Sequence, residues 1–178
     1  MASDLQDPSF HEVMRGSGAV ISDCGRYRYR LWRIWDEARA PVAFVMLNPS
    51  TADATSDDPT LRRCMGFARD WGAGGVVLVN VFAYRATKPT DLVAASRKAL
   101  PSHVKGPDRD DHLRRVFAVV DHVVCAWGSH PIAKAYAREI MRLVPEGLEV
   151  SCLGLTKDGA PKHPLYLASI TPRIPFRL

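Results

Sequence analysis

The sequence predicts an α/β protein, a three-layer sandwich in which helices cover both faces of a central, mostly parallel sheet of about four or five strands. Apolar stretches as short as strands recur along the chain, and segments with helical spacing lie between them. Continuous apolar strands of this kind are typical of a parallel sheet that is buried on both faces. The length of 178 residues is that of one domain. We therefore expect a single domain over residues 1–178, with residues 1–40 forming an N-terminal strand region packed on the core.

The composition excludes several classes of protein. Apolar residues make up 47% of the chain, but no apolar run approaches the ~20 residues of a membrane span. The N-terminal residues are polar and mixed in charge, so no signal peptide is expected and a cytoplasmic location is predicted. The net charge of +5 permits a polyanionic partner. The four cysteines form no CxxC pair, and the chain has no GxGxxG, Walker or HExxH motif, so we expect neither a metal site nor a cofactor.

The first two predicted strands differ in pattern. Residues 27–35 read YRYRLWRIW, in which aromatic or aliphatic residues alternate with arginine. This alternation predicts a half-buried strand with a cationic outer face. Residues 42–47 are continuously apolar and predict a strand buried on both faces. The strand ends at Asn48-Pro49, because proline cannot donate to the ladder.

The later elements follow from the same two periodicities. Asp58-Pro59 is a helix cap followed by proline at the first helical position, and Gly72 is a helix stop. Between them we expect a helix over residues 60–71. After it we expect a strand at 75–80, a weak helix at 88–100, a helix at 108–120, a strand at 122–127, a helix at 131–143, a strand at 148–155 and a turn at 157–159.

Polar residues collect where the predicted parallel strands end. Asn48 and Asn80 each follow an apolar strand, Gly128-Ser129 follows the third, and His163 comes after the fourth. In open α/β sheets the ligand crevice lies beyond the carboxyl ends of the strands. The sequence therefore predicts a site at this edge.

Each of these residues also has an ordinary structural role open to it. The loop after Asn48 can bond its own backbone, Asn80 can end its strand in an Asx-turn, and Ser129 can cap the next helix. If the loop is functional, an amide can orient a water, and Asp53 is the nearest group that could take a proton. His163 lies between prolines, where it could stabilise developing charge.

Four segments follow one another in the order FVMLNPS, VVLVNVFAYRA, CAWGSHP and KHPLY. In this order they resemble the motifs of the uracil-DNA glycosylase superfamily: a water-binding motif ending in Asp-Pro or Asn-Pro, an LLLN-type strand, a WGS turn and an HPS-type loop that inserts into DNA. The Asn-Pro form is typical of the mismatch-specific branch. The NPSTAD segment also resembles a little-characterised family of bacterial and phage domains that we associate with this fold.

The resemblance implies a role for each strand-end residue. Asn48 matches the residue that positions the attacking water, and Asn80 matches the amide that reads a pyrimidine. Ser129 matches a hydroxyl that contacts a DNA phosphate. His163 matches the histidine that stabilises negative charge on the departing base.

The resemblance is less complete at the DNA-insertion loop. Leu165 and Tyr166 fall where a side chain wedges into the duplex after base flipping, and Lys162 is expected to contact a phosphate. Phe67 is a candidate for the ring that stacks on the base, with core packing as the alternative. Two positions depart from the family pattern, since Met46 stands where a glycine is usual and Leu165 replaces a hydroxyl.

The predicted function is that of a monofunctional DNA glycosylase, which uses water and no metal to release a flipped base from double-stranded DNA and leave an abasic site. Uracil-specific relatives carry a tyrosine where this chain has Ser50, so the smaller side chain is expected to admit pyrimidines with a bulky 5-substituent. Phage DNA carries such bases, and an antiviral role follows as a hypothesis. The alternatives are uracil or mismatch repair, a non-catalytic module that recognises a modified base, and an enzyme acting on free nucleotides or nucleosides.

Overall fold

The computed structural model of the protein describes residues 14–86, 89–98 and 101–178. The predicted N-terminal region at 1–40 and the weak helix at 88–100 therefore lie partly outside the described residues. Within them the chain forms seven strands: β1 (Ser17–Ile21), β2 (Arg28–Ile34), β3 (Pro41–Met46), β4 (Gly75–Asn80), β5 (His122–Cys125), β6 (Glu149–Cys152) and β7 (Ile174–Pro175). The helices are α1 (Pro59–Asp70), α2 (Pro89–Lys98), α3 (Pro101–Lys105), α4 (Arg109–Phe117) and α5 (Pro131–Met141).

The seven strands form one mixed sheet in the order β1-β2-β4-β3-β5-β6-β7. The pairings of β3 with β4, β3 with β5 and β5 with β6 are parallel. The other three pairings, β1 with β2, β2 with β4 and β6 with β7, are antiparallel. The α/β class is therefore confirmed, but the prediction of a mostly parallel sheet of four to five strands is wrong. The difference arises at the two edges, where the first two strands and the short β7 add antiparallel neighbours to a parallel centre.

Helices cover both faces of this sheet. Val42 and Phe44 of β3 point into one apolar core, and Ala43 and Val45 point into the other. α1 closes the first core with Leu61, Cys64, Phe67 and Ala68. α4 and α5 close the second with Leu113, Val116, Phe117, Ala133, Ala137 and Ile140. None of the helices in the described ranges is long and apolar enough to cross a membrane.

The capping residues set the ends of α1 as the sequence predicts. The Asp58 carboxylate accepts a hydrogen bond from the backbone N–H of Leu61 at 2.7 Å, and Pro59 occupies the first turn. At the other end Gly72 adopts a φ of +74°, a conformation that glycine takes without steric cost. α4 and α5 end a few residues before their predicted limits, which is the usual uncertainty of helix ends.

The cationic outer face predicted for β2 is wrong, because its arginines are buried. Arg28, Arg30 and Arg33 are all less exposed than a tenth. A bulge in β2 contributes to this arrangement: Val20 of β1 pairs with Arg30 and Ile21 pairs with Arg28, which leaves Tyr29 without a partner in that ladder. The extra residue turns Arg28 toward the α1 side of the sheet, where its Nη1 donates to the Ala52 carbonyl at 2.6 Å.

Candidate functional site

A cleft of about 550 Å³ opens at the carboxyl edge of the parallel strands. The strands end together there, since Met46 pairs with Asn80 and Cys125 pairs with Cys152. Of the residues predicted for the site, those that line the cleft are Asn48, Ser50, Asn80, Ser129, Lys162, His163 and Tyr166. Those that do not line it are Asp53, Phe67 and Leu165.

Asn48 is held by its amide hydrogens. Its Nδ2 donates to the carbonyl of Ala86 at 2.8 Å and to that of Pro49 at 3.1 Å. The backbone N–H of Ala86 in turn donates to the Pro49 carbonyl, so the two loops are tied together. With both amide hydrogens engaged, Oδ1 is the group that Asn48 can offer to a bound molecule, and it can only accept. Such an acceptor can orient a water by one of its protons.

Asn80 lies deeper in the cleft and is only 2% exposed. Neither its Oδ1 nor its Nδ2 has a hydrogen-bond partner within the described part of the chain. A buried amide without partners costs free energy, on the order of 1–3 kcal/mol for each unsatisfied group. A bound molecule that presents one acceptor and one donor side by side would remove that cost. The edge of a nucleobase presents such a pair.

His163 is carried to the cleft by a hairpin that follows β6. Leu155 and Pro161 form an antiparallel bridge in this hairpin, around the turn that the sequence predicts at 157–159. The backbone N–H of Gly128, in the turn after β5, donates to the Pro161 carbonyl at 2.9 Å. This bond attaches the hairpin to the loop that carries Ser129. Two strand ends are thereby brought to one wall of the cleft.

The His163 ring is a neutral hydrogen-bond donor. Its Nδ1 accepts a hydrogen bond from the backbone N–H of Leu165 at 3.3 Å, which places the ring proton on Nε2. Burial lowers the pKa of His163 below its ordinary value, and the negative charge of Asp58 opposes that shift. The ring is therefore uncharged near neutral pH.

The mouth of the cleft carries three of the four residues predicted to contact DNA. Tyr166 is 90% exposed, and Lys162 and Ser129 are also exposed. Ser129 does not cap α5, since His130 takes that place and its Nδ1 accepts from the backbone N–H of Ile132 at 3.4 Å. The capping alternative for Ser129 is therefore wrong, and Ser129 lines the cleft.

Asp53 belongs to its own loop. Its Oδ1 accepts hydrogen bonds from the backbone N–H groups of Thr55 and Ser56, at 2.9 and 2.8 Å. These bonds lower the pKa of Asp53, which weakens it as a base. The structure thus corrects the assignment of Asp53 to the site, because a carboxylate with its own backbone donors nearby adopts the turn.

Phe67 and Leu165 also lie outside the cleft lining. Phe67 is 2% exposed and stacks on Trp71 with ring centroids 5.6 Å apart, so the core-packing alternative is the observed one. The reason is its position on the face of α1 that meets the sheet. Leu165 is half-buried and contributes its backbone N–H to His163. Trp127, from the WGS turn, is a ring that does line the cleft.

Two charged residues of the cleft, Asp58 and Arg28, are absent from the sequence-based assignment. The cap signal of Asp58 is correct, but a capping carboxylate uses one oxygen on the helix and can present the other to a cleft. Arg28 was expected on an outer face, and no local pattern predicts the bulge that buries it. Over the described ranges no three His, Cys, Asp or Glu side chains are grouped so that they could hold a metal ion.

Comparison with known proteins gives a family and no function. No curated protein matches the chain, and no solved structure matches it. One family model matches residues 28–165, which is more than half of the chain and includes every strand that borders the cleft. The chain therefore belongs to the family described as "Protein of unknown function (DUF1643)".

Proposed function

We propose that the protein is a DNA glycosylase that releases a flipped base by hydrolysis. The observation that carries the proposal is the buried amide of Asn80, which has no hydrogen-bond partner in the described ranges. It lies in one cleft with the acceptor of Asn48 and the neutral donor of His163. The order of the four sequence motifs supports the same assignment. The cleft can accommodate a base and sugar, since ligand pockets of a few hundred Å³ hold molecules of this size.

The reaction needs few groups. A water held by Asn48 Oδ1 bonds to C1′ of the sugar while the glycosidic bond breaks, and the electron pair of that bond leaves with the base. His163 Nε2–H donates to an oxygen of the departing base as it becomes negative. The water gives its proton to Asp58, the carboxylate that lines the cleft. Asn80 holds the base edge throughout.

Double-stranded DNA is the partner we propose. Lys162 and Ser129 at the mouth would contact phosphates, and the exposed ring of Tyr166 would occupy the gap left by the flipped base. Extrusion of a base costs a few kcal/mol. Contacts of the base with Asn80 and of the protein with the duplex would offset this cost.

For the target base we propose a pyrimidine with a bulky 5-substituent. Ser50 lines the cleft, and its small side chain would leave space where the uracil-specific glycosylases that the sequence resembles have a ring. Removal of such bases from phage DNA would make the protein antiviral. Uracil or mismatch repair and a non-catalytic module for modified bases are the competing functions.

The test uses duplex oligonucleotides that carry uracil, mismatched thymine, or 5-hydroxymethylated and 5-glucosylated pyrimidines, followed by alkali, which cleaves at abasic sites. We expect strand cleavage with the 5-substituted bases. Ser50→Tyr should abolish that cleavage and spare any activity on uracil, whereas the matched change Ser56→Tyr, in the same loop but away from the cleft, should alter neither. Binding without base release would favour the module, and cleavage of uracil alone would favour repair.

A further inference from the structure

Three buried arginines, Arg28, Arg33 and Arg109, differ in how many of their guanidinium nitrogens form hydrogen bonds. Arg33 uses all three guanidinium nitrogens: Nε and Nη2 donate to Asp57, Nη2 also to the Asp53 carbonyl, and Nη1 to that of Trp32, all within 2.9 Å. Arg109 is equally complete, with bonds to Asp110, Val81 and Glu139. Both are therefore structural cations whose burial the protein itself compensates.

Arg28 is different. It is 3% exposed and its Nη1 donates to the Ala52 carbonyl, but its Nε has no hydrogen-bond partner among the residues that the structure describes. Burial lowers the pKa of Arg28 to about 10, so the side chain remains a cation at neutral pH. An unpaired N–H on a buried cation is more costly than one on a neutral group. The free-energy cost of this unsatisfied Nε–H indicates a ligand that accepts its hydrogen bond.

The position of Arg28 in the cleft indicates which class of ligand can reach it. Arg28 and Asn80 are both almost fully buried and line the same cleft, whereas Lys162 and Ser129 are exposed at its mouth. A DNA phosphate is tetrahedral and strongly hydrated, and it would contact the exposed Lys162 and Ser129 first. A planar base offers carbonyl oxygens at its edge, and it is the class of ligand that we expect at the buried pair.

We propose that Arg28 binds a carbonyl oxygen of the pyrimidine held by Asn80, through its Nε–H. The inference rests on the proposed function, in which that oxygen takes up negative charge as the glycosidic bond breaks. A fixed cation in a site that excludes water stabilises such charge without reorganisation. Arg28 is then a second donor to the base beside His163.

The direct test is the Nε–H signal of Arg28 in a ¹⁵N–¹H NMR spectrum, assigned by its loss in Arg28→Lys. Free uracil, free 5-fluorouracil and inorganic phosphate are added separately to the wild-type protein at pH 8.5, where the fluorinated base is more anionic. We expect the Arg28 signal to move with both bases, with tighter binding of 5-fluorouracil, and to stay in place with phosphate. The Nε–H signal of Arg33, assigned by Arg33→Lys, should not move with any of them.

Variants give the second readout. Arg28→Met should weaken 5-fluorouracil binding by about 10- to 100-fold, the usual cost of losing a charged hydrogen bond, and should remove the preference over uracil. Arg33→Met, which removes a buried cation that does not line the cleft, should lower thermal stability and leave base affinity unchanged.

Each result has one meaning. The assignment of Arg28 to the base would be overturned if its Nε–H signal moved with phosphate alone or with none of the three probes. It would also be overturned if a folded Arg28→Met variant bound the bases with full affinity. If the bases move the Arg28 signal but no duplex tested loses a base, Arg28 is a base-binding residue and the glycosylase function is what fails.

Discussion

Three side chains of the cleft offer different groups to a ligand. Asn48 has only an acceptor left, Asn80 has both a donor and an acceptor, and His163 has a donor. The three side chains differ because of their hydrogen bonds within the protein. Each such bond leaves one donor or acceptor fewer for a ligand. The roles we propose can therefore be separated by single substitutions.

Asn48→Ala should reduce base release by at least ~10²-fold, as loss of a group that positions a reactant does. DNA affinity should change little, because Asn48 lies in the cleft and not at its mouth. Single-turnover base release and duplex binding are measured on the same preparation. An unchanged rate in the folded variant would remove Asn48 from the mechanism.

Asp58→Asn and Asp53→Asn form a matched pair. Asparagine caps helices as well as aspartate, so both variants should keep their folds close to the original stability. If Asp58 takes the proton of the water, Asp58→Asn should slow base release about 10²-fold. Asp53→Asn should not, because its carboxylate bonds its own loop. Equal rates in the two variants would contradict the role of Asp58.

His163→Ala should slow chemistry about 10²-fold, whereas His163→Gln, which keeps an N–H donor, should lose less. Burial lowers the pKa of His163 in the folded protein, so the midpoint of its protonation lies below the ordinary value of about 6.5. The wild-type rate should therefore decline with a midpoint below pH 6.5, as Nδ1 becomes protonated and loses its bond to Leu165. A decline centred at 6.5 or above in a pH–rate profile would argue against this.

At the scale of elements, the cleft depends on how the hairpin after β6 meets the turn after β5. Gly128 makes that contact with a φ of +76°, and a Cβ there would lie 4.0 Å from the Cβ of His163. Gly147 has a φ of +86°, and a Cβ there would have no atom of the described residues within 4 Å. The two glycines have the same backbone requirement and different surroundings.

Gly128→Ala and Gly147→Ala should each lower the free energy of unfolding by about 1–2 kcal/mol, the cost of an alanine in the left-handed region. Only Gly128→Ala should also slow base release, because the hairpin that carries His163 is attached there. Chemical denaturation and single-turnover kinetics on both variants test this. A similar loss of activity in both would show that stability alone is responsible.

At the scale of the whole molecule, the net charge of +5 permits the DNA binding that we propose, and such binding would weaken as salt rises. Lys162 lines the cleft, and Lys157 lies in the same hairpin but away from it. Lys162→Gln should reduce the slope of log K against log salt by about 1, as expected for one lost phosphate contact, and Lys157→Gln should leave it unchanged. Identical slopes for the two variants would place the DNA elsewhere.

The sequence by itself determined the parallel centre of the sheet and the edge at which the cleft opens. Continuous apolar strands that alternate with capped helices are local patterns, and each is strong in this chain. Because parallel strands end at one edge, residues far apart in sequence, such as Asn48, Asn80 and His163, were expected at one place. They line one cleft.

Only the tertiary structure decided which charges enter that cleft and how the sheet ends. The burial of Arg28 depends on a bulge and on the loop that packs over it, and β7 is a strand of two residues that pairs with the distant β6. Likewise Asp53 accepts hydrogen bonds from its own loop, whereas Asp58 lines the cleft. Phe67 packs in the core. These outcomes come from contacts between distant segments, which no local periodicity records.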